Sequence, residues 1–265
     1  MDWLTSLLQN FFNWKLMWET VPDLLVYGLR NTLILSLSSC IIGAIFGMLL
    51  AIMGVSQRSW LRLPARVYVD IFRGLPAILT ILLLGQGFAQ VGMQMFGPNP
   101  YPLAIFALSL IAAAYIGEIF RAGIQSIEKG QGEACRALGM TYGQAMRLVI
   151  VPQGVRRVLP ALVNQFIGII KDSSLVYFLG LLTTQRELFR VGQDATVNSG
   201  NLSPLVAAGA FYLLLTVPLT HFVNYIDKRL RTGRRIEETT SGLDEVDELA
   251  TVITSTGVVE KEGTP

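Results

Sequence analysis

The sequence predicts an all-α integral membrane protein of about five transmembrane helices, and three observations carry that prediction. Of 265 residues, 52% are hydrophobic and only 15% charged, with mean hydropathy +0.50; a soluble domain carries about 25% charged residues. The charges are also missing in blocks. None occurs in 31–57, 74–117 or 195–226, gaps of 27, 44 and 32 residues, where one helical crossing of the bilayer needs about 20. Finally, the cations that remain are sorted. Fifteen of the 21 lie in 54–73, 121–157 and 228–235, and three (Lys15, Arg186, Arg190) fall on the opposite side. That bias places the N-terminus outside and the C-terminus in the cytoplasm.

The same composition excludes several classes. Two cysteines 95 positions apart, Cys40 and Cys135, make no disulfide framework, and a single histidine, His221, leaves almost no metal or triad chemistry. H-E-x-x-H and G-x-S-x-G are both missing.

Residues 1–23 read as an extracytoplasmic interfacial segment, with Trp3, Phe11, Phe12, Trp14 and Trp18 beside Lys15. The first span, 32–53, lies too deep and is too long for a cleaved signal peptide. Its Gly43 and Gly47 form a small-residue packing face. Asp70 and Arg73 are spaced as an i, i+3 pair ahead of the second span, 75–96. The turn run Gly97-Pro-Asn-Pro-Tyr-Pro102 separates it from the third, 102–120. The fourth, 162–182, is apolar apart from Asn164, Gln165, Lys171, Asp172, Ser173 and Ser174. Lys171 and Asp172 inside a span either line a pathway or pair with each other, Glu118 or Arg121; Asn164 and Gln165 either line it too or bond between spans. The fifth, 204–226, contains Pro218, expected to kink it, and His221, expected to hydrogen-bond between helices. Residues 231–265 read as a solvated, disordered cytoplasmic tail, whose 236–265 portion holds eight acidic residues against one Lys.

The polar loop 126–153 is the informative segment. Glu133–Leu138 favours helix, and Gly139 ends it in a left-handed turn. Thr141 with Gln144 forms a capping-box pattern that starts a second short helix, and Pro152 is expected to end it. Helices this short are marginal alone, so the unit needs a surface to pack against.

Glu133-Ala-Cys135, Gly139 and Val149-Ile-Val-Pro152 resemble the E-A-A loop of ABC importer permeases, with matching spacing and Cys135, Val149 and Val151 as mild apolar departures. Tyr27-Gly-Leu-Arg-Asn-Thr-Leu33, Phe72-Arg-Gly-Leu-Pro76, Glu118-Ile-Phe-Arg-Ala-Gly-Ile-Gln-Ser126, Leu159-Pro-Ala-Leu-Val-Asn-Gln165 and Lys171-Asp-Ser-Ser-Leu175 are similar to the polar amino acid branch. The resemblance spans 24–230; Gly132 departs where many relatives have an aromatic. It implies a type I importer-like permease domain at 24–230, working as a homo- or heterodimer in the bacterial cytoplasmic membrane. Its expected partners are a cytoplasmic ABC ATPase dimer, an extracytoplasmic amino-acid-binding protein and the lipid bilayer, with no nucleic acid. Glu133, Ala134, Cys135, Gly139, Met140 and Pro152 become ATPase-coupling residues. Glu118, Asn164, Gln165, Lys171, Asp172, Ser173 and Ser174 become the candidate substrate pathway. With no G-x-x-x-x-G-K-[ST] loop in this chain, no catalytic residue, metal or cofactor is expected here, and ATP and Mg²⁺ belong to the partner. The cargo would be an acidic, amide or basic amino acid. An ion-coupled secondary transporter is the alternative, although an odd number of spans without a visible repeat argues against it.

Overall fold

The computed structural model describes residues 2–228, and the described residues contain no strand. The acidic tail therefore lies outside the described residues. The helices are α1 (Asp2–Phe11), α2 (Trp14–Asp23), α3 (Arg30–Val55), α4 (Ser59–Gly74), α5 (Ala77–Gly87), α6 (Ala89–Phe96), α7 (Tyr101–Gln125), α8 (Lys129–Ala137), α9 (Tyr142–Ala145), α10 (Val151–Asp172) and α11 (Leu188–Ser199). A last helix, α12, runs Ser203–Lys228. A π-helical turn, Leu24–Leu29, joins α2 to α3, and another, Met146–Ile150, joins α9 to α10.

By length and apolarity three helical runs can cross a membrane: Trp3–Val55, Tyr101–Gln125 and Ser203–Lys228. The pair α4 and α5, bent by 106°, supplies a fourth if it acts as one broken span. α10 falls outside that set because it is too polar, with Gln153, Arg156, Arg157, Asn164, Gln165, Lys171 and Asp172 within its 22 residues. The expected fourth span is also displaced: the helix occupies 151–172, and Ser173–Leu179 tightens into a 3-10 turn that ends at Gly180 with φ +69°. Lys171 and Asp172 thus sit at a helix end rather than in mid-span. The expected second span is two helices broken at Phe88, and the cation-rich stretch before it is the amphipathic α4. One side of α4 exposes Trp60, Leu63, Val67 and Ile71, while Arg62, Arg66, Asp70 and Arg73 occupy other positions around it. Pro218 lies within the continuous α12.

α3 and α7 form the centre. A Cβ on Gly43 would sit 2.6 Å from Ala112 Cβ, and one on Gly47 2.8 Å from the Gly117 amide nitrogen. The small-residue face therefore lets two backbones meet at a distance no larger side chain allows. Around this crossing, Leu35, Ile81, Leu108 and Val176 build one buried cluster, and Ala51, Ile116, Phe120 and Ile169 a second. A third gathers Leu24, Leu188, Val191, Ala207 and Ala208.

The N-terminal segment is two helices where one was expected. Asn13 breaks the run, accepting a hydrogen bond from the Leu16 amide at 3.4 Å as the N-cap of α2. Its own amide donates to Ser203 Oγ at 2.8 Å, and Asn201 donates to the Gln9 carbonyl at 3.0 Å. This segment is thereby stapled to the start of α12. Trp3, Trp14 and Trp18 stay exposed.

Candidate coupling loop and substrate cavity

The loop forms as the sequence predicts at its turn. The Gly139 amide bonds the Arg136 carbonyl at 2.9 Å, and the Met140 amide bonds the Cys135 carbonyl at 3.0 Å. This is the Schellman pattern, in which the residue after the cap takes a left-handed conformation; Gly139 has φ +77°. Met140 is thus part of the turn itself. The Gln144 amide donates to Thr141 Oγ1 at 3.3 Å, and the Thr141 amide to Gln144 Oε1 at 2.8 Å, completing the capping box.

Pro152 acts otherwise than expected. It lies inside a helical run, just after the π-helical turn Met146–Ile150, where the widened backbone accommodates the missing N–H. The π-helical turn before it leads α9 into α10 without a break. The second loop helix and α10 are therefore one helical run, Tyr142 to Asp172.

The unit is attached on one side only. Cys135 and Ala145 are buried, while Glu133, Ala134, Leu138 and Tyr142 are exposed. Leu138 is 81% exposed and Tyr142 59%. Beneath the loop lies a cavity of about 460 Å³ bordered by Gly132, Glu133, Arg136, Tyr142 and Ile150. A Cβ on Gly132 would find only Ile150 Cδ1, at 3.8 Å.

The candidate pathway residues do not come together. Glu118 lies in a cavity of about 330 Å³ between α4 and α7, shared with Arg66, Asp70, Arg73 and Arg121. Arg121 holds the Glu118 carboxylate with two donors, Nε to Oε2 at 2.9 Å and Nη2 to Oε1. Its third nitrogen, Nη1, donates to Gln125 Oε1 at 2.6 Å. Arg73 approaches Glu118 at 3.9 Å and lies over the Tyr115 ring at 5.5 Å, so the expected Asp70–Arg73 pair does not form. Asn164, Gln165, Lys171, Asp172, Ser173 and Ser174 sit elsewhere, on α10 and the 3-10 turn. Neither Lys171 nor Asp172 makes an ion pair among the described residues, to each other or to Glu118 or Arg121. Ser173 and Ser174 spend their hydroxyls on the carbonyls of Ile170 and Lys171, both at 2.7 Å.

Two groups escaped sequence reasoning. Arg66 was read only as one of the cytoplasmic-side cations and Asp70 only as a partner for Arg73, yet the three are spaced i, i+4, i+7, which puts three charges on one face of a helix. At the far end of the bundle, Glu187 is fully buried and caps α11. Its carboxylate accepts from the amides of Phe189 at 2.5 Å and Arg190 at 2.8 Å and from the Tyr212 hydroxyl at 3.2 Å. Burial pushes its pKa from the ordinary 4.5 up to about 8, against those three bonds and the nearby Arg190, which favour the anion. Beside it, Asn31 donates to the carbonyls of Thr184 and Arg186, both at 3.0 Å, and Thr32 Oγ1 accepts from the Leu188 amide at 3.1 Å. The Arg-Asn-Thr text at 30–32 therefore pins the segment that follows α10.

Comparison with known proteins accords with this geometry. The chain is 36% identical over 217 residues to the arginine transport system permease protein ArtQ of Bacillus subtilis, covering 81% of this chain and 96% of that one. It is 36% identical over 224 residues to the glutamate/aspartate import permease protein GltK of Escherichia coli, covering 82% and 98%. Among solved structures, an amino acid ABC transporter crystallised with histidines aligns with a TM-score of 0.65 at 33% identity, over 76% of this chain and 92% of that one. The MetNI methionine ABC transporter, at 23% identity and a TM-score of 0.63 over 79% and 95%, shares the fold. Residues 43–232 match the family described as the binding-protein-dependent transport system inner membrane component, and this membrane chain belongs to that family of transport permeases.

Proposed function

We propose that this chain is the permease subunit of an ATP-driven importer that carries a polar amino acid across a bacterial cytoplasmic membrane. The exposed helix–Gly–helix unit is the observation that carries the reading. Leu138 and Tyr142 project from a turn fixed by Gly139 and Thr141, and a cytoplasmic ABC ATPase subunit is the surface that covers them. Glu133, exposed beside them, supplies a charge for pairing with that subunit. ATP and Mg²⁺ bind on the ATPase dimer, and this chain contributes no catalytic group. A second permease subunit completes the pathway, and an extracytoplasmic binding protein delivers the amino acid. The cation bias places α8 and α9 on the cytoplasmic face. The named relatives, which handle arginine or glutamate and aspartate, support an amino acid cargo.

The test is co-purification and uptake. The chain should carry an ATPase subunit through affinity purification, and Gly139→Val, a β-branched residue at a left-handed position, should abolish ATP-dependent uptake of labelled amino acid. Uptake that survives complete ATP depletion but collapses with the proton gradient would overturn the proposal in favour of an ion-coupled carrier.

A further inference from the structure

The cavity between α4 and α7 carries a charge pattern that selects among amino acids. Arg66, Arg73 and Arg121 face Asp70 and Glu118, so three guanidiniums and two carboxylates leave one net positive charge. The carboxylate that would suit a basic cargo is occupied, because both Glu118 oxygens are held by Arg121. Arg121 in turn has Gln125 on its remaining nitrogen. Arg73 is oriented by Tyr115 and touches Glu118 only at 3.9 Å, leaving most of its donors free. Arg66 and Asp70 form no ion pair among the described residues. What the cavity offers is two guanidiniums flanking one carboxylate on a single helix face. Arg66 and Arg73 are two turns apart, about 10 Å along the axis, and their long side chains can converge on a short ligand.

We propose that this cavity takes a dicarboxylic amino acid, with one carboxylate on Arg66, the other on Arg73, and the ammonium on Asp70. The assignment rests on the importer reading and narrows its cargo. Such a ligand carries one net negative charge and neutralises the cavity. Glutamine leaves the positive charge standing, and arginine doubles it, so the charge balance of the cavity favours the dicarboxylate. Arginine forks bind carboxylates bidentately, so each pairing is directional as well as electrostatic.

The experiment is calorimetric titration of the purified permease–ATPase complex, without binding protein, with glutamate, glutamine and arginine. Glutamate should bind at least tenfold tighter than glutamine, with arginine weakest. Arg66→Gln and Arg73→Gln should each erase the preference for glutamate over glutamine. Asp70→Asn should weaken all three ligands alike, since all carry the ammonium. Arg73→Lys keeps the charge and should retain part of the preference, which separates lost charge from lost folding. Glutamine or arginine binding as tightly as glutamate would overturn the assignment. ATP hydrolysis by the complex with binding protein present distinguishes the two levels. If none of the three amino acids stimulates it, the importer reading falls as well. If arginine or glutamine stimulates it and glutamate does not, only the dicarboxylate assignment falls.

Discussion

Replacing Gly139 separates backbone strain from steric clash in the coupling loop. The glycine has φ +77°, and a Cβ built there meets nothing within 4 Å. Alanine therefore adds no collision, and its whole cost is the left-handed conformation, about 1–2 kcal/mol. Asparagine tolerates that conformation, so Gly139→Asn should cost a fraction of this. If the turn is the docking element, strain of that size weakens binding of the ATPase subunit about 5–30-fold for Gly139→Ala, at about 1.4 kcal/mol per factor of ten. The assay is the affinity of the solubilised permease for the purified ATPase subunit. Thermal unfolding of the permease alone serves as control and should barely move, because the exposed turn touches no core residue and in the variant relaxes out of the left-handed conformation while undocked, so that the strain is met only on docking. Equal weakening by alanine and asparagine, or full affinity in Gly139→Ala, would refute the reasoning.

Gly43→Val should abolish monodisperse folded protein, since its Cβ would stand 2.6 Å from Ala112; Gly87→Ala, with nothing within 4 Å, should purify normally. Asn31→Leu strips two carbonyls of their donor and should lower stability by about 2–4 kcal/mol, read as a fall in Tm. Glu187 gives a pH signature. Its folded pKa of about 8 lies above the ordinary 4.5, so the folded state holds the proton more tightly than the unfolded one. The stabilisation is complete below pH 4.5 and declines as pH rises to about 8, with no further loss above. In Glu187→Gln the decline in Tm over that window should flatten, and an unchanged slope would mean that another group titrates.

Legibility divided along physical lines. Features dictated by local chain chemistry were plain: the charge-free blocks, the left-handed turn at Gly139, the box at Thr141 and Gln144, and the small-residue face at Gly43 and Gly47 all stand as read. Pro152 misled because proline ordinarily breaks a helix interior, and the π-helical turn just before it, which carries the helix past it, leaves no local sequence signal. The cavity charges were unreadable for a different reason. Arg66 read as one more cytoplasmic-side cation and Asp70 as a local partner of Arg73, because only the packing of α4 beside α7 brings them to Glu118 and Arg121. Glu187 offered nothing local either, since its burial comes from residues distant in sequence such as Thr32 and Tyr212.

The loop and the cavity are joined through one crossing. The second loop helix continues into α10 through the π-helical turn, so the loop and α10 form one unbroken helical run. Three residues into α10, Gly154 lies against Gly123 so closely that a Cβ on Gly123 would stand 2.6 Å from the Gly154 carbonyl oxygen. Gly123 is two residues beyond Arg121 on α7, and Arg121 is the group that fixes Glu118 in the cavity wall. Arg157, one turn further along α10, donates to the Ser126 carbonyl at the end of α7 and holds the same junction. If the loop docks as proposed, motion imposed on it would reach the cavity through backbone contact at this crossing. Gly123→Ala forces the two helices apart without touching the exposed docking face. It should leave affinity for the ATPase subunit within about twofold while sharply reducing uptake per ATP hydrolysed. Uptake and hydrolysis that remain coupled in that variant would place the transmission path elsewhere in the bundle.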